Sequence, residues 1–237
     1  MFDLITIDGK QYIDGRKSHP EAVLCATKVF FYPPKPTYVP PESPILNTLE
    51  PGKWIAEPKF DGKRALVLRG AGEEIKAWTR EARPIMLPGS VREAVLATFP
   101  EWTLGDCEWI SKKARLFLLD LVALKGRFLA DERLADRKLE AMNLVPKDSY
   151  LMGATLPNGG IFTLAPWVPV ENGEQLRQYY AERMAAGNEG IVIKHLSSTY
   201  RWSPTGCTDV TDWLKLKPVK GLLHDSKGDV IKGSEAR

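Results

Sequence analysis

Seven short β-rich runs dominate the chain from Lys53 onward: WIAEPKF, RALVLRG, EIKAWTR, WTLGDCEWI, RLFLLDLVAL, GIVIKH and DWLKLKP. Between them lie three helical patterns, SVREAVLATF, DERLADRKLEAMNL and GEQLRQYYAERMAAG. The last two open on acidic residues and the last closes at a glycine, the polarity that a helix dipole prefers. Strands and helices alternate without a strict β-α-β rhythm, and no internal repeat is evident. This order predicts an α+β fold, with mixed or antiparallel sheets flanked by helices.

Residues 1–48 read as a separate layer. LITIDGKQYIDG alternates and holds two Asp-Gly pairs, which predicts a hairpin. It leads to YPPKPTYVPPESP, Tyr32 to Pro44, whose six prolines forbid helix and central strand. That stretch is expected as an extended connector along the surface, with Tyr200, Arg201 and Trp202 expected as a mobile surface loop elsewhere. The expected organisation is an extension over 1–48, a main domain over 49–218 and a tail over 219–237.

With 237 residues, 43% apolar and 27% charged, the chain has ample material for one large soluble core. The net charge of +3 permits a polyanionic partner without demanding one, so any such reading rests on where the basic residues sit. Cys25, Cys107 and Cys207 form no CxxC or Cys/His pair, which argues against structural zinc. Their sparse, odd count suits a reducing cytosol. The start lacks a signal-peptide pattern, and no run approaches the roughly 18 apolar residues of a membrane span. A cytoplasmic protein without a membrane partner is expected.

EPKFDGKR places Lys59 at the end of an apolar strand, with Asp61-Gly62 as a turn and Arg64 at the start of the next strand. A lysine becomes a nucleophile only after losing its proton, and neighbouring cations, desolvation or a metal favour that loss. Lys63, Arg64, Lys215 and Lys217 supply candidate cations. Alone, the run reads equally well as a charged surface hairpin. LGDCEWI sets Glu108 on an apolar strand, where a carboxylate is costly without a donor or metal. NEGIVIKH carries Glu189 before a glycine and ends near Lys194. DWLKLKP carries Lys215 and Lys217 at i and i+2, on one strand face. Two ammonium groups side by side suit a polyanion between them. Trp78, Trp109 and Trp202 read as packing residues, and His195 as an ordinary strand-end residue.

Taken in order, these runs resemble the covalent nucleotidyltransferases, most closely the ATP-dependent DNA ligases. The resemblance covers about Trp54 to Pro218, roughly seventy per cent of the chain. It implies a nucleotidyltransferase (ATP-grasp-like ligase) fold with the nucleotide in a cleft between sheets. It implies that Lys59 attacks the α-phosphorus of ATP and holds AMP, with Lys215 and Lys217 gripping the α-phosphate. Glu57 is implied beside adenine, Arg64 and the Arg80 of TREAR at ribose, phosphates or a nucleic-acid end. Glu108 is implied at the ribose hydroxyl or a metal, and Glu189 at a divalent metal, Mg2+ or Mn2+. Lys194 of EGIVIK is implied among the nucleotide-binding residues. The implied partner is nicked duplex DNA, with an RNA-containing nick as an alternative, and the implied state a monomer.

Two departures stand out. The family's base-stacking aromatic falls at Leu119, so Phe117, two residues earlier on the same face, is expected to substitute. Only about twenty residues follow Lys217, too few for the OB-fold domain that family members carry next. A minimal enzyme, an excised domain or a second chain would each account for that. An RNA ligase, a GTP-dependent capping guanylyltransferase and a non-catalytic nucleic-acid-binding module of the same fold compete with the DNA ligase reading. EGIVIK, with glutamate where capping enzymes tend to have aspartate, and EPK before the turn favour the ligase.

Overall fold

The computed structural model describes residues 31–145, 161–203 and 205–218, and beyond them the backbone of four short strands. Two of these, β1 (Leu4–Ile7) and β2 (Lys10–Ile13), pair antiparallel with Leu4 opposite Ile13, as the alternation of LITIDGKQYIDG predicts. The main body runs β3 (Lys35–Tyr38), β4 (Trp54–Lys59), β5 (Lys63–Arg69), β6 (Ile75–Thr79), α1 (Gly89–Thr98), β7 (Thr103–Ile110) and β8 (Arg115–Leu124). It continues through β9 (Arg127–Phe128), α2 (Leu134–Leu144), β10 (Phe162–Leu164), β11 (Val168–Val170), α3 (Gly173–Ala185), β12 (Gly190–His195) and β13 (Asp209–Leu216). A last pair, β14 (Leu222–His224) and β15 (Val230–Lys232), is antiparallel. Cys25 and the rest of the tail lie outside the described residues.

Two sheets form the body. The first has the order β10-β8-β7-β5-β6, with β9 on β8; the second has the order β11-β4-β12-β13-β3. Pairing is antiparallel except for β10 with β8 and β13 with β3, so both sheets are mixed. The two-residue period of each strand sorts its side chains. On β5, Ala65 and Val67 face a core shared with α1 and α2, whereas Leu66 and Leu68 join Tyr200 and Trp213 in a core between the sheets. On the second sheet, Ala56, Ile191, Ile193, Leu214 and Leu216 pack with Leu176 of α3. Among the described residues, no helix is long and apolar enough to cross a membrane.

Two expectations are corrected. The proline-rich segment is not a surface strap: β3 pairs parallel with β13, and Phe31, Val39 and Leu46 are buried at 1%, 7% and 0% exposure. Proline is tolerated there because an edge strand leaves one row of N–H positions unpaired. Lys35–Tyr38 is thus an edge strand of the second sheet, with Val39 and Leu46 in the core beneath it and Phe31 in the core between the sheets. Nor is YRWS a loose loop. Tyr200 is 2% exposed, its hydroxyl donates to Asp106 Oδ2 at 2.9 Å, and Trp202 meets Phe31 edge-on at 4.5 Å.

Candidate active site

The run around Lys59 is not a hairpin. β4 belongs to the second sheet and β5 to the first, so Phe60 to Gly62 carry the chain from one sheet to the other. This joint is tight: a Cβ on Gly62 would lie 2.6 Å from Ile110 Cδ1 and 2.7 Å from Trp109 O. Lys59 thus stands at the joint where the chain passes from one sheet to the other.

Strand register gathers charge around this joint. On the second sheet, Glu57 and Lys59 alternate with core-facing Ala56, Lys194 with Ile193, and Lys215 with Leu214 and Leu216. Val192 lies opposite both Glu57 and Lys215, Lys194 opposite Trp213, and Gly190 opposite Lys59. Gly190 is required where it stands: its φ is +144°, and a Cβ would fall 1.9 Å from Leu216 O. On the first sheet, Arg64 lies opposite Glu108. Glu57, Lys59, Arg64, Arg80, Glu108, Glu189, Lys194 and Lys215 all line one cavity of about 860 Å³, within the size of nucleotide and cofactor pockets.

At the outer part of this cavity, Lys59 Nζ contacts Glu189 Oε2, and the Glu189 N–H donates to Lys59 O at 2.9 Å. Burial pushes the Glu108 carboxyl up to about 7 against the pull of Lys59 and Arg64, with Asp106 and Glu189 pushing the same way as burial. Lys215 donates to Pro36 O at 2.7 Å. Its pKa is held below the ordinary lysine value by burial, with Lys35, Lys217 and Lys59 adding repulsion. Arg80 is half exposed and bonds Glu81 Oε1 at 2.6 Å. Arg64 is held by Asp106, Nε to Oδ1 at 2.9 Å; burial opposes its charge, but Asp106 outweighs burial and raises its pKa.

The inner part is buried and ion-paired. Glu57 is 1% exposed and lies between two lysines. Lys194 Nζ reaches its Oε2 at 2.8 Å, and Lys138 of α2 contacts its Oε1. Both ammonium groups also donate to Leu119 O, at 3.0 Å from Lys138 and 3.1 Å from Lys194. Lys138 was not among the residues singled out in the sequence. Nor was Asp106, a fully buried carboxylate that holds both Arg64 and Tyr200.

Two site residues stand elsewhere than expected. Phe117 is stacked on Phe60, ring centroids 3.9 Å apart, and it is Phe60 and Leu119 that reach the cavity wall. Lys217 is not on the wall either. β13 pairs with β12 only as far as Leu216, so Lys217 lies just past the held face, close enough to repel Lys215.

Among the described residues no group of three metal-ligating side chains converges. Glu108 and Glu189 share the cavity, and the Glu189 charge disfavours that of Glu108. Two carboxylates fit a hard divalent cation that takes its remaining oxygens from water and substrate phosphates. They do not fit an all-protein cage.

Comparison with known proteins agrees with this geometry. The ATP dependent DNA ligase domain family matches residues 105–217. A probable DNA ligase of Streptomyces coelicolor is 30% identical over 202 residues, 72% of this chain and 36% of that protein. A DNA ligase of Methanothrix thermoacetophila is 28% identical over 105 residues, 44% of this chain and 16% of that protein. The chain thus spans well under half the length of these relatives. Among solved structures, a mycobacterial DNA ligase D complexed with ATP superimposes with a TM-score of 0.56 at 20% identity, over 79% of this chain and 60% of that one. The ATP complex of the bacteriophage T7 ligase gives 0.52 at 18% identity, over 85% and 75%. By its fold and by the matched segment, this chain carries the adenylation (nucleotidyltransferase) domain of the ATP-dependent DNA ligases.

Proposed function

We propose that the chain is an ATP-dependent polynucleotide ligase acting on nicked duplex DNA, with Lys59 as the nucleophile. The observation that carries this reading is the placement of Lys59 at the joint between the sheets, touching Glu189, in a cavity shared with Glu108 and Lys215.

In this reading the neutral Lys59 amine attacks the α-phosphorus of ATP. The N–P bond forms, the bond to the β-phosphate oxygen breaks, and pyrophosphate leaves with the electron pair. The proton released from nitrogen passes to water, and Glu189, the carboxylate in contact with Nζ, keeps the amine aimed at the phosphorus. Lys215 meets the negative charge on the α-phosphate, helped by Lys217 and the guanidinium of Arg80 as substrate draws them in. Placing fixed charges where charge develops is the main way proteins accelerate phosphoryl transfer. Glu108 and Glu189 are the residues that would hold a magnesium or manganese ion, which would supply neutralisation of phosphate charge. Glu57, whose Oε1 accepts no aligned hydrogen bond, takes the adenine amine at the inner end, beside Lys194. Arg64, held by Asp106, offers its remaining N–H groups to ribose or to the nucleic-acid end. AMP then passes from Lys59 to the 5′-phosphate of a nick, and the 3′-hydroxyl displaces it.

The chain acts as a monomer made of the domain over 49–218 with its flanking segments 1–48 and 219–237. Purified protein incubated with ATP and magnesium gains the mass of one AMP, and Lys59→Ala does not. Transfer of label from GTP in place of ATP sinks the ligase reading in favour of a capping enzyme. A protein that never gains the mass is a binding module. Sealing of an all-DNA nick beside an RNA-containing nick identifies the polymer, and nick affinity falls steeply with salt in either case.

A further inference from the structure

Lys138 does not line the cavity, yet it is a buried cation directly behind its wall. Its side chain is 4% exposed and that of Glu57 2%. With Lys194 at 3%, two ammonium groups share one carboxylate in a dry region. The next carboxylate, Asp120, is already taken by Arg137, which reaches its oxygens at 2.8 and 2.9 Å. Burying a surplus cation is strongly unfavourable, and an apolar side chain of similar size would remove the cost. Lys138 must therefore do something that Lys194 alone does not.

Its contacts say what. Lys138 and Lys194 bind the same two acceptors, the Glu57 carboxylate and Leu119 O, from different elements. Glu57 stands on the second sheet and Leu119 on the first, so the two lysines tie the sheets together across the inner end of the cavity. Each lysine is also fixed over an indole, Lys138 at 5.0 Å from the Trp167 centroid and Lys194 at 4.5 Å from that of Trp213. Lys194 lines the cavity, where a bound base would meet it and compete for Glu57. Lys138, behind the wall, holds Glu57 in place from the other side. Acceptors fixed in position, the Glu57 carboxylate and Leu119 O, favour a purine with a 6-amino group over one with a 6-oxo group.

We propose that Lys138 is a positioning residue for nucleotide choice, fixing Glu57 and Leu119 O so that a 6-aminopurine triphosphate is taken and a 6-oxopurine triphosphate refused. This rests on the adenylation reading above. The test is Lys138→Met and Lys138→Gln against wild type, each offered ATP and inosine triphosphate in one reaction. The readout is the ratio of lysyl-AMP to lysyl-IMP, told apart by a different radiolabel on each nucleotide, and this ratio does not depend on how much of each variant is folded. Both variants are expected to lose selectivity by on the order of tenfold, Lys138→Met more than Lys138→Gln. KM for ATP rises while kcat of the adenylyl step stays within a few-fold. An unchanged ratio in variants that still form lysyl-AMP overturns the proposal. So does a natively folded variant that labels with neither nucleotide, because Lys138 then serves the chemistry itself. If wild type labels with neither, it is the adenylation reading that fails.

Discussion

The two ends of the cavity are built on opposite principles. At the outer end, Lys59 and Glu189 are 25% and 41% exposed in their side chains, and like charges crowd Lys215 from several sides. At the inner end, Glu57, Lys138, Lys194, Asp120 and Arg137 are all nearly sealed, and each ion is matched within hydrogen-bond distance. An exposed cation cluster contributes little to stability and is cheap to rearrange around a phosphate. A sealed network is rigid and breaks at high cost. The contrast assigns chemistry to the open end and recognition to the closed one, and substitutions at the two ends should differ in kind.

The largest expected effect is at the open end. Lys59→Ala abolishes the AMP adduct, read by intact mass, yet shifts the thermal midpoint little, because the lysine is partly exposed. A midpoint drop of many degrees would break the comparison. At the closed end the expectation reverses. Asp120→Ala leaves Arg137 buried without its partner and destabilises by about 3–5 kcal/mol, read by urea unfolding. Burial opposes the Asp120 charge, but Arg137 holds its carboxyl below the ordinary value. The sign follows. A depressed folded pKa contributes stability above the unfolded value, and that stability is lost as pH falls through the folded one. Asp120→Asn removes that part of the acid dependence. Smaller again, Lys215→Ala slows lysyl-AMP formation by on the order of 10²–10³, about 2.7–4 kcal/mol, with stability within about 1 kcal/mol of wild type. Rapid-quench measurement with labelled ATP checks it.

The same contrast governs what could be read from the sequence. The strands on either side of the cleft were legible because each alternates along its length, and Glu57, Lys59, Glu108, Glu189 and Lys215 meet at one cavity wall. β10 and β11 were not legible, since three residues carry no period. β3 was hidden by its prolines, because edge position is a property of the sheet and not of the strand. Lys138 was missed because a lysine in a helical run reads as solvent-facing. A signal was there: the buried residues of α2 are Leu134, Arg137, Lys138 and Ala141, spaced i, i+3, i+4 and i+7. Two cations on the stripe that should be apolar mark a helix that buries charge. Phe60 was overlooked because turn residues do not reveal which sheet they will face.

Glu108 sharpens the comparison, since it belongs to the open end by location and to the closed end by burial. Its carboxyl, ordinarily near 4.5, is pushed up to about 7 chiefly by burial. Folding raises the pKa of an acid here, so the native state keeps a proton that the unfolded chain releases. Stability from this group is therefore lost as pH rises from about 4.5 to about 7 and is constant above. Glu108→Gln removes that slope. The difference in thermal midpoint between variant and wild type should grow in favour of the variant across this window and then level off. Magnesium with ATP should cancel the difference in wild type alone, because a cation stabilises the ionised carboxylate that burial disfavours. The adenylation rate of wild type should accordingly fall below about pH 7 while that of Glu108→Gln, already lower, stays flat. A midpoint difference that is the same at pH 5 and pH 8 would place Glu108 with the exposed charges around Lys59.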